Sequence, residues 1–157
     1  MSSHFVKKGE PPPGLSSFTK IRLGWISSDQ VALIHPGETR QVMLSPLEKR
    51  GDVLAIKIPL RAGLYYLVEN RQPFGVDRIL PDSGILVLKV DPSAMEGLGT
   101  VKVMDADPDS PHFSHATYRS DRSGRTTFID RENRVAIVAL GQKDQAMEVL
   151  VTTPEKL

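Results

Sequence analysis

From Val31 to Thr152 the apolar residues recur at every second position, in short runs broken by turn-forming compositions. This alternation constrains the fold more than any other feature, because successive side chains of a strand point to opposite faces and a period of two buries one of them. The run Val53 to Leu60 shows the pattern. Leu54, Ile56, Ile58 and Leu60 fall on one side, and Val53, Ala55, Lys57 and Pro59 on the other. Similar runs cover Val31 to His35, Arg40 to Leu44, Tyr65 to Asn70, Gly84 to Asp91, Arg134 to Leu140 and Ala146 to Thr152, with weaker ones at Thr100 to Met104 and Arg125 to Ile129. In the run from Gly84, the residues Leu86, Leu88 and Val90 make an unbroken apolar face. His35-Pro-Gly-Glu38 and Leu47-Glu-Lys-Arg-Gly-Asp52 are turn compositions between runs. About nine short strands with turns between them predict an all-β fold, an antiparallel, jelly-roll-like β-sandwich, rather than alternating βαβ units.

One segment has a different period. Leu15, Phe18, Ile21 and Trp25 are spaced by three and four, Ser16 or Ser17 is available as N-cap, and Gly24 is placed to end the turn. A short amphipathic helix is expected over about Ser17 to Leu23. Residues 1–14 lack periodicity and contain Pro11-Pro-Pro13, so they read as an extended lead-in to a single domain over residues 15–157. A chain of 157 residues is the size of one domain and buries roughly 70% of its extended surface.

Charge and composition exclude several classes of function. Twenty basic side chains face 19 acidic ones, for a formal net charge of +1, which argues against a nucleic-acid or anionic-membrane binder acting through bulk charge. No apolar run approaches the length of a membrane span, and Met1 to Gly14 is too polar to read as a secretory signal. Without cysteine there is no disulfide framework, thiolate metal site or thiol nucleophile.

The chemistry-bearing residues gather in the polar stretch between Asp105 and Gly124, which is too long for a plain hairpin. Asp105, Asp107 and Asp109 have the alternate spacing that can wrap carboxylates around calcium, although Ser110 and Ala116 stand where an EF-hand needs glycine and glutamate. The bland alternative is a turn in which aspartates bond their own backbone. His112 and His115 could share a metal with Asp105 or Asp109, and Ser114 lies beside His115. No His-Glu-x-x-His, nucleophile elbow or phosphate-binding glycine loop occurs. No catalytic residue is therefore assigned. Trp25, Phe18, Tyr65 and Tyr66 could offer a glycan-stacking platform, but the spacing of Phe18 and Trp25 equally suits core packing, and one of the two tyrosines should face inward. Glu69 and Arg71 share a strand face and read either as an exposed ion pair or, with Asp77 and Arg78, as a network that pins a loop or docks a neighbouring domain.

Three stretches, Tyr65-Tyr-Leu-Val-Glu-Asn-Arg-Gln72, Gly75-Val-Asp-Arg-Ile-Leu-Pro81 and Ser83-Gly-Ile-Leu-Val-Leu-Lys-Val-Asp91, occur in order. They resemble a strand, loop and strand of the immune inhibitor A type of secreted zinc metalloproteases (peptidase M6-like). Pro13-Gly-Leu-Ser-Ser-Phe-Thr-Lys-Ile-Arg-Leu-Gly-Trp-Ile26 is similar to that family's helix after the catalytic metal site, and Val103-Met-Asp-Ala-Asp-Pro108 to the start of its later β region. Phe18 stands where the family commonly has tryptophan, and Lys89 where it has histidine. The resemblance implies a non-catalytic C-terminal β-sandwich portion of an extracellular protease. Its zinc and general base would lie upstream, and the peptidase domain would be its partner, docked on the helix around Phe18 to Trp25 and on Arg71, Asp77 and Arg78. An independent carbohydrate- or protein-binding module is the alternative.

Overall fold

The computed structural model describes residues 8–95, 97–121 and 125–157. Residues 1–7 of the expected lead-in and residues 122–124 of the polar loop lie outside the described residues. The described chain forms one short helix, α1 (Ser17–Arg22), and nine strands. These are β1 (Val31–Leu33), β2 (Arg40–Leu44), β3 (Ala55–Pro59), β4 (Tyr65–Arg71), β5 (Gly84–Val90), β6 (Val101–Val103), β7 (Thr127–Asp130), β8 (Val135–Lys143) and β9 (Ala146–Thr152). They lie in two sheets, one ordered β1-β3-β4-β5-β6 and the other β2-β9-β8-β7, a β-sandwich without barrel closure.

Eight of these runs pair as antiparallel ladders, but β1 pairs with β3 in parallel, Val31 beside Ala55. Parallel neighbours need a crossover. Here β2 supplies it, because the chain leaves the first sheet after β1, crosses the second as β2, and returns as β3. Alternation within a strand carries no information about which sheet the strand joins, so this departure from an all-antiparallel arrangement was not visible in the sequence.

The inner faces make the main core. Ile56 and Ile58 of β3, Val68 of β4, and Ile85 and Val87 of β5 are fully buried, and they meet Val42, Leu44, Ile137, Met147 and Val149 from the second sheet. Each such aliphatic side chain contributes about 1.5–3 kcal/mol of transfer free energy. Tyr66 of β4 meets Phe128 of β7 edge to face at 5.1 Å, so an aromatic contact joins the two sheets. The Tyr66 hydroxyl ends this contact by donating to Asp130 Oδ2 at 2.6 Å. As expected for adjacent strand residues, Tyr65 points the other way, with Lys57 Nζ 4.4 Å over its ring.

The face formed by Leu86, Leu88 and Val90 does not point between the sheets. It lies on the outside of the first sheet, where Leu67, Leu88 and Val90 form a second cluster beneath Phe18 and Ile21 of α1. Apolar residues on both faces of β5 therefore record three layers: second sheet, first sheet, helix. The helix ends as its sequence predicts. Gly24 adopts φ +73°, its N–H donates to Ile21 O, and the Trp25 N–H donates to Lys20 O, a Schellman closure.

The long polar stretch is anchored to the first sheet at Gly84. Ile85 and Tyr118 exchange two backbone hydrogen bonds, at 3.0 and 2.8 Å, and Thr117 Oγ1 donates to Asp82 Oδ2 at 2.7 Å. Gly84 has φ +142°, and a Cβ there would stand 2.8 Å from Tyr118 O and 2.7 Å from Arg119 Cγ. Gly84→Ala is therefore expected to cost about 2–3 kcal/mol through backbone strain and overpacking. Urea denaturation should show a lower midpoint with an unchanged slope.

Candidate functional site

Glu69, Asn70, Arg71 and Gln72 leave β4 with alternating directions; the first three tie down different segments and the fourth orients Asn70. Asn70 points inward, where its Nδ2 donates to Leu44 O at 2.9 Å and to Gln145 O at 2.8 Å. It thus links the first sheet to β2 and to the turn between β8 and β9. Gln72 Nε2 donates to Asn70 Oδ1 at 2.8 Å and fixes the orientation of that amide.

Glu69 and Arg71 point outward, yet they are not an exposed ion pair. Glu69 and Asp77 have no exposure and Arg71 only 6%. The Arg71 guanidinium donates to Glu69 Oε1 at 3.2 Å and to Asp77 Oδ1 at 2.6 Å, and also to the carbonyls of Gly14 at 3.0 Å and Leu15 at 3.2 Å. Asp77 Oδ1 further accepts the Gly14 N–H at 2.9 Å. Glu69 Oε2 accepts the Ser17 N–H at 2.7 Å, satisfying an orphan donor of the first helical turn. Ser16 occupies the N-cap position as the sequence suggests, but its own side chain caps nothing. At the other side of the helix, buried Lys20 donates to Glu48 Oε1 at 2.7 Å and to Leu47 O at 3.3 Å. The end of the expected lead-in is consequently built into the body, with Pro13 buried.

This fixation leaves an open, mostly apolar groove of about 800 Å³ on the outer face of the first sheet. Its floor includes Leu86 and Leu88, and α1 with the residues before it forms one wall through Leu15 and Phe18. The opposite side is formed by Val101 and Val103 of β6 and by Phe113. Phe113 is exposed, and both it and His112 have left-handed backbones, φ 58° and 59°, a strained arrangement for residues other than glycine. Beyond the helix, Leu23 and Trp25 are 53% and 62% exposed.

The structure thus brings Arg71 and Asp77 together and sets Phe18 beside them on the groove wall. Arg78 lies apart, exposed, with Glu10 Oε2 at 3.0 Å. Trp25 follows the helix rather than extending its buried face. In the polar loop, Asp105 Oδ1 accepts the Asp107 N–H at 3.0 Å, and Asp107 Oδ2 accepts the Ser110 hydroxyl at 2.9 Å, while Asp109 is exposed. These are local turn bonds, and among the described residues no three His, Asp or Glu side chains converge as a metal-holding group. His115 Nδ1 lies 2.9 Å from Ser110 Oγ. The Ser110 hydroxyl therefore joins Asp107 and His115 in one local hydrogen-bonded cluster within the loop. Tyr66 is buried, so the two tyrosines share no exposed platform.

Three contributions escape sequence reading: the capping role of Glu69, the carbonyls of Gly14 and Leu15 as Arg71 partners, and Phe113 at the groove. Each depends on proximity between segments far apart in the chain, although the strand-end Glu-Asn-Arg-Gln was a signal for the first two. No helix among the described residues is long and apolar enough to cross a membrane. No protein-family model, curated protein or solved structure matches the chain.

Replacing Arg71 by methionine would leave Glu69 and Asp77 buried without their cation, with an expected loss of about 3–5 kcal/mol in chemical denaturation. Burial raises the Asp77 carboxyl above its ordinary value, against the opposing pull of Arg71. The folded protein therefore binds this proton more tightly than the unfolded chain. The associated stability is present in full below the ordinary aspartate value of about 3.9 and is lost as pH rises through the folded pKa. Asp77→Asn keeps an acceptor for the Gly14 N–H and should flatten the pH dependence of the unfolding midpoint across that window.

Proposed function

We propose that this chain is a non-catalytic β-sandwich domain that docks onto a partner domain through the end of α1 and the groove beside it. The partner we propose is the zinc peptidase domain of an immune inhibitor A type protease, which would make the site of action extracellular. The observation that carries the reading is the exposure of Leu23 and Trp25, 53% and 62%, at a helix end held rigidly by the Schellman closure. Large exposed apolar side chains at one end of a helix whose first turn walls an apolar groove are the expected mark of an interaction surface. The ordered resemblance supplies the partner's identity. Its stretches coincide with the scaffold that positions this surface: Glu69 to Gln72, Asp77, Gly84, and the helix itself.

On this reading the groups that attack a peptide bond belong to the partner, and the present chain contributes surface. The purified chain should neither cleave casein nor retain zinc after dialysis. Trp25 is the sole tryptophan, so its fluorescence reports docking directly. Titration with a peptidase domain of the immune inhibitor A type should shift the Trp25 emission to the blue. A Leu23→Ser, Trp25→Phe double variant, followed by calorimetry, should bind about tenfold or more weakly, the scale for removing two central apolar anchors. Unchanged Trp25 emission, with no heat of binding, would refute the reading.

A further inference from the structure

The first sheet ends at β6, and the phase of its hydrogen bonds is fixed by two neighbours. Asp91 N–H donates to Thr100 O, and Met104 N–H donates to Val87 O, both at 2.8 Å. In an antiparallel ladder the bonded pairs alternate, so Thr100, Lys102 and Met104 turn their backbone groups toward β5, while Val101 and Val103 turn theirs to the open edge. No strand among the described residues pairs with that edge. The side chains of Val101 and Val103 stand on the outer face, in the cluster with Leu88 and Val90, and both residues line the groove. None of the residues lining the groove comes from β1, β2 or β7, the other strands at sheet edges, so β6 alone joins unpaired backbone groups to an apolar depression.

We infer that β6 is a template for an added strand: an extended segment of a partner polypeptide pairs with Val101 and Val103 and lays apolar side chains in the groove over Leu86 and Leu88. The inference rests on the reading of this face as a docking surface and specifies the segment that occupies it. Backbone pairing supplies affinity, and alternate side chains supply selectivity.

Charge decides what kind of segment fits. Lys102 is exposed on the opposite face of β6, directly across from Lys89; Asp91 lies within its electrostatic reach, but among the described residues Lys102 makes no salt bridge. Two like charges already face one another there, so the incoming strand is favoured by an acidic residue opposite Lys102. Since side chains alternate, the residues on either side of that acid project into the groove, and the segment reads apolar–acidic–apolar. A second copy of this chain is disfavoured on the same ground. Two antiparallel β6 strands related by a two-fold axis through their centres would set Lys102 against Lys102.

The test uses a phage-displayed library of random heptapeptides panned on the intact chain. Recovered sequences should be enriched in apolar–(Asp/Glu)–apolar triplets, and Lys102→Glu should invert the central preference to Lys or Arg. Val101→Pro removes an N–H that points away from β5 and so leaves the ladder intact. It should reduce recovery about tenfold or more, the scale of one or two lost hydrogen bonds, relative to Val101→Ala, with melting temperatures confirming that both variants fold. Equal recovery by the proline and alanine variants would overturn strand addition while leaving the docking surface, tested through Trp25, in place. No enrichment on the unaltered chain would also overturn it, and so would self-association abolished by Val101→Pro, which would make the occupant a second copy.

Discussion

Arg71 stands on the outer face of the five-stranded sheet with two carboxylates and two backbone carbonyls around it, and the placement of the chain before β1 follows from that arrangement. A guanidinium with this little exposure has to be paired to be tolerated, and each of its acceptors is fixed by a different part of the chain. Glu69 belongs to the same strand, Asp77 to the loop that follows it, and Gly14 and Leu15 to the segment entering α1. Breaking the charge balance would release a strap and a helix together. The cluster is therefore a positioning device for one face of the molecule, and that face carries the groove and the helix that walls it.

Alternation along β4 lets one short stretch serve both sides of the sheet. Asn70 reaches through to the second sheet by bonding Leu44 O and Gln145 O, while Glu69 and Arg71 hold the helix layer. The apolar residues repeat this division, with Val68 and Val87 packed between the sheets and Leu67 and Leu88 under the helix. A sheet covered on both faces over part of its area, and open over the rest, is bound to leave a boundary. The groove lies at that boundary, between the wall made by α1 and the edge strand β6.

Much of the architecture was legible because it is local. Arg40–Leu44 and Ala146–Thr152 have the bounds their alternation gives, and Gly24 ends α1 with the bond pattern its position suggests. The site was legible only in part. Arg71 and Asp77 could be singled out as charges near a strand end, but an exposed pair and a buried network have the same sequence. Arg78 looked like a third member and instead faces Glu10. Nothing local marks Phe113 as a groove residue, since its position results from the bridge between Ile85 and Tyr118, which folds the polar stretch back onto the sheet.

The period of two, the turn compositions and the single stretch of helical spacing determined by themselves that this chain forms short strands and one short helix. They did so because side-chain direction follows from backbone geometry within a few residues. Tertiary structure alone decided which sheet each strand joins, that β1 and β3 run parallel, which face of β5 meets the helix, and that Arg71 is buried rather than solvated. Those outcomes depend on contacts between residues tens of positions apart, and their free energies exist only once the distant partners have been brought together.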